Sequence, residues 1–254
     1  MYHMEDPDKA KEGMFVTNLM VSLPKGAIRK DVGNSLIQLV EKYKSSNFQI
    51  ITSSIFGYEC DFMFMCLSKD ADAIWQFEQD LKKLEVNIED SFFSITELSE
   101  YTPTQIEEQA RIDTLDATDD EKSEMMTQWL ARISVYEKHK LYPEIPNKEY
   151  ICFYPMSKKR ESHANWYALP FDERAKYMRS HGALGRKYSG KIIQLITGAT
   201  GLTDYEWGVT LVSDSLFDIK EIVYEMRYDQ ASALYGEFGH FTIGKIVDIV
   251  KVLS

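Results

Sequence analysis

The sequence predicts an α+β chain of two ferredoxin-like modules, joined by a helical linker, whose sheets pack together or close into a barrel of the dimeric α+β type. Three features point to it. Short β-rich runs alternate with stretches whose apolar residues recur at helical spacing. Turns bearing Gly or Pro separate them. Finally, Gly57-Tyr-Glu-Cys-Asp-Phe62, followed by Leu67-Ser-Lys-Asp-Ala-Asp72, is paralleled by Asp204-Tyr-Glu-Trp-Gly-Val209, followed by Val212-Ser-Asp-Ser-Leu-Phe217. The two copies lie about 145 residues apart, as an internal repeat would place them.

The elements follow in order. Met14–Leu23 is a β-rich run closed by Pro24-Lys25-Gly26. Ala27–Lys44 carries Ile28, Val32, Leu36, Ile37 and Val40 as the apolar stripe of a helix. Phe48–Ser54 and Tyr58–Leu67 read as strands joined at Phe56-Gly57, Asp70–Leu84 as a second helix and Ser91–Tyr101 as a closing strand. Cys60–Leu67 is apolar on both faces, so its two cysteines are expected in the core. Thr104–Tyr142 is a polar helical linker. Pro103 opens its first helix, and Thr118-Asp-Asp-Glu121 offers capping-box chemistry for its second, with Met125, Trp129, Ile133 and Tyr136 as the apolar stripe. After it come Tyr150–Pro155 (strand), Phe171–Tyr188 (helix), Lys191–Thr197 and Tyr205–Val212 (paired strands), Leu216–Met226 (helix) and Phe241–Val250 (strand). We therefore expect an N-terminal module with linker over residues 1–145, serving scaffold and assembly, and a C-terminal binding module over residues 146–254.

Composition narrows the function. Of 254 residues, 44% are apolar and 27% charged, which excludes disordered, collagen-like and coiled-coil chains. No apolar run approaches the roughly 20 residues of a membrane span, and the polar, acidic start lacks the apolar core of a signal peptide. Three cysteines, Cys60, Cys66 and Cys152, make neither a disulfide framework nor a zinc pattern, so a reducing cytoplasm is expected. A net charge of −11 argues against nucleic acid as a partner. The charge is uneven. Residues 151–254 carry 13 basic against 12 acidic side chains, whereas residues 1–150 carry 16 against 28. An anionic ligand would prefer the second part.

Of the five histidines, four are set aside: His3 in the N-terminal tail, His139 in a charged run, His163 in a polar loop and His240 at a turn. His181 shares a helix face with Tyr177, Leu184 and Tyr188, flanked by Gly182 and Gly185, which would let a flat group approach the backbone. Spacing leaves two readings open, a satisfied core histidine and an iron ligand. Around it the sequence gathers Tyr154-Pro-Met-Ser-Lys-Lys-Arg160, Asn165-Trp-Tyr167, Gln194, Arg227 and Ser232. The basic run is either a solvated strand end or a set of donors at the mouth of an aromatic pocket suited to carboxylates.

Six blocks in order carry a resemblance: Cys152-Phe-Tyr-Pro-Met-Ser-Lys158, Asn165-Trp-Tyr167, His181-Gly-Ala-Leu-Gly-Arg186, Gln194-Leu-Ile-Thr-Gly198, Glu206-Trp-Gly-Val-Thr-Leu211 and Val223-Tyr-Glu-Met-Arg-Tyr-Asp229. Together they resemble the chlorite dismutase-like superfamily, and within it the coproheme decarboxylases of haem biosynthesis. The resemblance implies that His181 is the proximal iron ligand, Tyr154 a radical-forming catalytic tyrosine, Lys158 a partner of a propionate carboxylate and Trp166 an aromatic beside the second reactive propionate. It also implies porphyrin contacts from Met156, propionate contacts from Arg227 and Ser232, and a neutral Gln194 where the chlorite-degrading branch carries a distal arginine. Lys140 stands where those decarboxylases have an arginine, keeping the charge without the planar fork.

The implied reaction removes two propionates of iron coproporphyrin III with hydrogen peroxide and yields haem b. The implied assembly is a homopentamer, with transient contact to an iron-inserting chelatase. Three alternatives stand beside it: a chlorite dismutase or haem peroxidase of the same superfamily, against which Gln194 and the Tyr154/Lys158 pair speak; a non-catalytic haem-binding or haem-delivery protein; and a scaffold with no cofactor, which would leave His181 as a core residue.

Overall fold

A computed structural model describes residues 13–253 apart from 26, 27, 46, 58 and 146, with only the backbone for 28–30. The first module runs β1 (Phe15–Ser22), α1 (Ile28–Tyr43), β2 (Phe48–Phe56), β3 (Phe62–Ser68), α2 (Ala71–Lys82) and β4 (Asn87–Thr96), with strand order β2-β3-β1-β4. The second repeats it with β5 (Tyr150–Lys158), α5 (Phe171–Arg186), β8 (Ile192–Gly198), β9 (Trp207–Ser213), α6 (Leu216–Met226) and β11 (Thr242–Ile246). Short insertions decorate it: the β6 (Arg160–Glu161)–β7 (Ala164–Asn165) hairpin, a 3₁₀ turn over Trp166–Ala168, α7 (Gln230–Tyr235) and β10 (Gly236–Phe238). The linker holds α3 (Gln105–Asp113) and α4 (Asp119–Leu141), and α8 (Ile249–Leu253) ends the described chain.

The two ferredoxin-like sheets are one. β4 lies beside β8 and β2 pairs with β11, while β5 pairs with β11 on one edge and β9 on the other, so eight strands close into a ring. Closure abolishes free sheet edges. Side-chain alternation then sorts residues between the inside of the ring and the helix-covered outside. In the first module Leu19, Val21, Phe62, Phe64 and Cys66 face α1 and α2, filling a core with Leu36, Phe48, Phe77 and Leu81. The alternate residues Met20, Met63 and Met65 are at most 2% exposed and turn to the other face.

Two compact units emerge over the described residues: Met14–Ile95 with Pro146–Ser254, and a linker unit over Thr96–Ile145. This differs from a cut between residues 145 and 146, because both modules contribute strands to one sheet while the linker helices cluster by themselves. In the linker unit α3 and α4 pack together, and each begins with a complete capping box, Thr104 with Glu107 and Thr118 with Glu121. The more covered side of α4 carries Met126, Trp129 and Ile133, whereas Met125 and Tyr136 are exposed. Helical spacing alone does not decide which of two adjacent methionines turns inward.

Other boundaries also shift. β4 starts four residues before Ser91, at Asn87, since its first half is polar and exposed and has no hydrophobic pattern. It stops at Thr96, whose hydroxyl donates to the Leu141 carbonyl at 2.7 Å. The last strand stops at Ile246 rather than Val250, because Asp248 accepts the Val250 N–H and turns the chain into α8. Cys60, Cys66 and Cys152 are free and buried, and burial raises all three thiols, to about 11 for Cys60 and about 12 for Cys152.

On β9, a Cβ at Gly208 would lie 2.8 Å from Phe92 Cε1, 2.9 Å from Thr197 Oγ1 and 3.2 Å from Phe153 Cε2. Gly208→Ala is expected to cost about 1–3 kcal/mol of stability through overpacking, measured as a lower denaturant midpoint at unchanged slope.

Candidate functional site

The site begins with a helix that packs poorly. α5 has 16 residues, as α1 does, yet it buries only Ala175, whereas α1 buries Val32, Leu36, Leu39 and Val40. Tyr177, His181 and Leu184, on one face of α5, are only half-buried. His181 Nδ1 lies 2.8 Å from Asp229 Oδ2. A carboxylate only accepts, so the imidazole donates from Nδ1 and keeps its lone pair on Nε2, the tautomer a metal ligand needs. Asp229 is itself fixed. Its side chain is 2% exposed, and it caps α7 by accepting the Ser232 N–H at 3.3 Å.

Opposite α5 stands the outward face of the second module's sheet. Tyr154, Met156 and Lys158 fall on one face of β5 by alternation, and the β8–β9–β5 register places Gln194 beside Leu211 and Tyr154 beside Val209 on that same face. The helix meets this face at Gly185, where a Cβ would come within 3.4 Å of Gln194 Nε2 and 3.5 Å of Met226 Cε. Gly182 turns elsewhere, toward Arg186. Of the two flanking glycines, Gly185 alone adjoins Gln194.

Tyr154 stacks on Phe241, with ring centroids 4.2 Å apart and planes at 22°, and touches Phe238 at 6.0 Å. Arg227 lies over the Phe238 ring at 4.5 Å. Burial pushes the Tyr154 phenol well above its ordinary range, and the Arg227 charge works against that rise. Lys158 is 6% exposed. Its ammonium donates to the Ala231 carbonyl at 2.9 Å and sits 4.5 Å over the Trp166 ring. Burial lowers it to about 8, while Asp229 and Glu206 pull it up. Trp166, 2% exposed, completes an aromatic trio with Tyr177 and Tyr235 at centroid distances of 5.4–6.2 Å.

These residues fit an iron porphyrin. Among the described residues no cluster of three or more His, Cys, Asp or Glu could chelate a bare cation. An iron already held by four ring nitrogens would need only one protein donor, and the Nε2 of His181, turned away from Asp229, is a nitrogen that would serve. Half-buried apolar side chains flank it, and Lys158 and Arg227 are the cations that would answer carboxylates at the rim of such a ligand.

The family model for chlorite dismutase matches residues 29–247. The chain belongs to the chlorite dismutase family. A relative from Natronomonas pharaonis, named "Putative heme-binding protein", is 41% identical over 196 residues, which cover 76% of this chain. The chain spans only 30% of that relative's length. Among solved structures, a heme-binding protein from Thermus thermophilus is 32% identical with a TM-score of 0.77, covering 96% of this chain and 94% of that one. A mutant chlorite dismutase from Candidatus Nitrospira defluvii shares the fold at 15% identity, with a TM-score of 0.68 and coverage of 96% and 95%.

In this chlorite dismutase family member, His181, Tyr154, Met156, Lys158, Trp166, Gln194, Arg227 and Ser232 all belong to one compact unit. Ser232 enters through its backbone N–H, which holds Asp229. Lys140 belongs to the linker unit, in the last turn of α4, with its ammonium 5.8 Å from the Tyr136 ring and lowered by burial. His139 and His163 are exposed, the latter paired with Glu161 at 2.9 Å, and His3 lies outside the described residues. Sequence reading missed Asp229, Glu206, Phe238 and Phe241. For Asp229 a signal existed: Asp three residues before Ser is an N-cap pattern, and a capping acid can also serve a neighbouring imidazole.

Removing the Asp229 acceptor should weaken haem binding roughly 10–100-fold, the usual effect of deleting a partner of a metal-bound histidine. Asp229→Asn, which retains an acceptor, should lose less than Asp229→Ala in a titration followed by the visible spectrum. His181→Ala should change the iron spectrum itself.

Proposed function

We propose that the protein is a peroxide-dependent coproheme decarboxylase that converts two propionates of iron coproporphyrin III to vinyl groups, giving haem b. The observation that carries it is the shared face of Tyr154, Met156 and Lys158 on β5, with a phenol and a buried cation in separate surroundings and the neutral Gln194 beside them. Each conversion consumes one propionate carboxylate, one hydrogen peroxide and one proton, and yields a vinyl group, carbon dioxide and two waters. The iron porphyrin is both substrate and the centre at which peroxide supplies the oxidising equivalents.

His181 would hold the iron, with Asp229 fixing its tautomer. Tyr154, held against Phe241, would lose an electron and a proton to the peroxide-derived oxidising equivalents and, as the phenoxyl radical, take a hydrogen atom from a propionate β-carbon, returning to the phenol. Lys158 pairs with a propionate carboxylate and holds it until carbon dioxide leaves, with Trp166 packed beneath the ammonium. Met156 contacts the macrocycle, and Arg227 and Ser232 serve propionates. A neutral amide at Gln194 gives an anionic oxidant such as chlorite no charge to bind. Within this reading residues 1–145 serve scaffold and assembly, and residues 146–254 bind the porphyrin. A homopentamer in the cytoplasm, receiving substrate from an iron-inserting chelatase, belongs to it as well. No described helix is long and apolar enough to cross a membrane.

The test is to titrate peroxide into the protein loaded with iron coproporphyrin III and to follow porphyrin masses. Successive loss of two propionates is expected. Unchanged coproheme overturns the reaction, and tight binding without turnover would favour haem carriage instead. Tyr154→Phe should bind coproheme as the unaltered protein does and lose turnover.

A further inference from the structure

The proposed reaction leaves one buried ionisable side chain beside Lys158 unused. Glu206 precedes β9 and is 6% exposed. The β5–β9 ladder ends at the Met156–Trp207 pair, so the last two residues of β5 have β10 on one side and no strand partner on the other. Glu206 takes the place of that missing strand. Its carboxylate Oε2 accepts the Lys158 N–H at 2.8 Å, and its own N–H donates to the Met156 carbonyl at 3.1 Å and to Ser157 Oγ at 3.2 Å. Its carbonyl in turn accepts the Ala199 N–H at 2.7 Å. Immediately beyond, Lys159 donates to the Tyr235 carbonyl at 2.8 Å and the chain leaves the sheet.

We propose that Glu206 is a positioning residue for Lys158, clamping the end of β5 through the Lys158 amide and supplying a counter-charge to its ammonium. A backbone N–H asks only for an acceptor, and a neutral glutamine would satisfy it. A carboxylate is far costlier to bury than an amide unless a cation answers it. The Lys158 ammonium meets the Trp166 ring and the Ala231 carbonyl, and the charges of Asp229 and, to a smaller extent, Glu206 favour its protonated form. Asp229 is already engaged by His181 and by the α7 N-terminus, so Glu206 is the acid whose charge is spent on no other side chain named here. The inference rests on the proposed role of Lys158 as a carboxylate-binding cation.

Lysine-labelled protein without porphyrin, followed by NMR across pH, should show the Lys158 ammonium titrating near 8. Glu206→Gln keeps the acceptor and removes the charge, so the midpoint should fall. Because only the ammonium pairs with carboxylates, coproheme affinity should be highest below that midpoint and fall above it, and Glu206→Gln should move the fall to lower pH. In a Lys158→Met background the pH step should vanish and Glu206→Gln should have no further effect on it. Glu206→Asp keeps the charge but shortens the reach, and should speed hydrogen exchange at the Lys158 amide about tenfold. An unmoved midpoint in Glu206→Gln, an equal effect of that change with and without Lys158, or unaltered exchange in Glu206→Asp would each overturn the proposal. If these shifts occur and coproheme is bound but not decarboxylated, the reaction fails while the positioning role stands.

Discussion

β5 is hydrogen-bonded along both edges, to β9 on one side and to β11 and then β10 on the other. That double pairing closes the sheet, and closure fixes the register of every strand in it. Strand alternation then leaves no freedom: Ile151 and Phe153 face one way, and Tyr154, Met156 and Lys158 the other. A slip of one residue would send the phenol and the ammonium to the wrong face and would bring Phe153 out from its contact with Phe92 at 5.3 Å.

The two modules share a topology and differ in what fills the space between helices and sheet. In the first, Leu36, Phe48, Phe64 and Phe77 close it with rings and branched chains. In the second, Cys152, Val209, Leu211, Ile219 and Ile222 form a smaller core, with Tyr154, Met156 and Leu184 only partly covered at its margin. The repeat thus supplied one packed copy that stabilises the shared sheet and one under-filled copy free to take a ligand. Gly185 marks the point where α5 comes closest to Gln194, within van der Waals reach of a Cβ.

Charge in the site is arranged by burial more than by number. Asp229 and Glu206 are both at most 6% exposed, and neither is unpaired. One fixes the tautomer of His181, the other secures the end of β5, and both act on Lys158. The near-neutral total of the second part of the chain therefore conceals specific opposed charges held in place by burial.

Sequence alone determined the element types, the internal repeat and the buried thiols, because periodicity and turn chemistry are local, and it singled out the distinctive blocks that carry His181, Tyr154, Lys158 and Trp166, which the fold places in one compact unit. It did not decide whether Met125 or Met126 turns inward, where β4 begins, or that Gly185 rather than Gly182 faces Gln194, since those depend on what packs against each face. It left open whether the two sheets pack together or close into one barrel, which is decided by strand edges far apart in the chain. The partner of His181 lies 48 residues away and that of the Lys158 amide also 48. Hydrogen bonds of that span leave no trace in local pattern, and only the closed sheet with its capping turns brings those acids to the site.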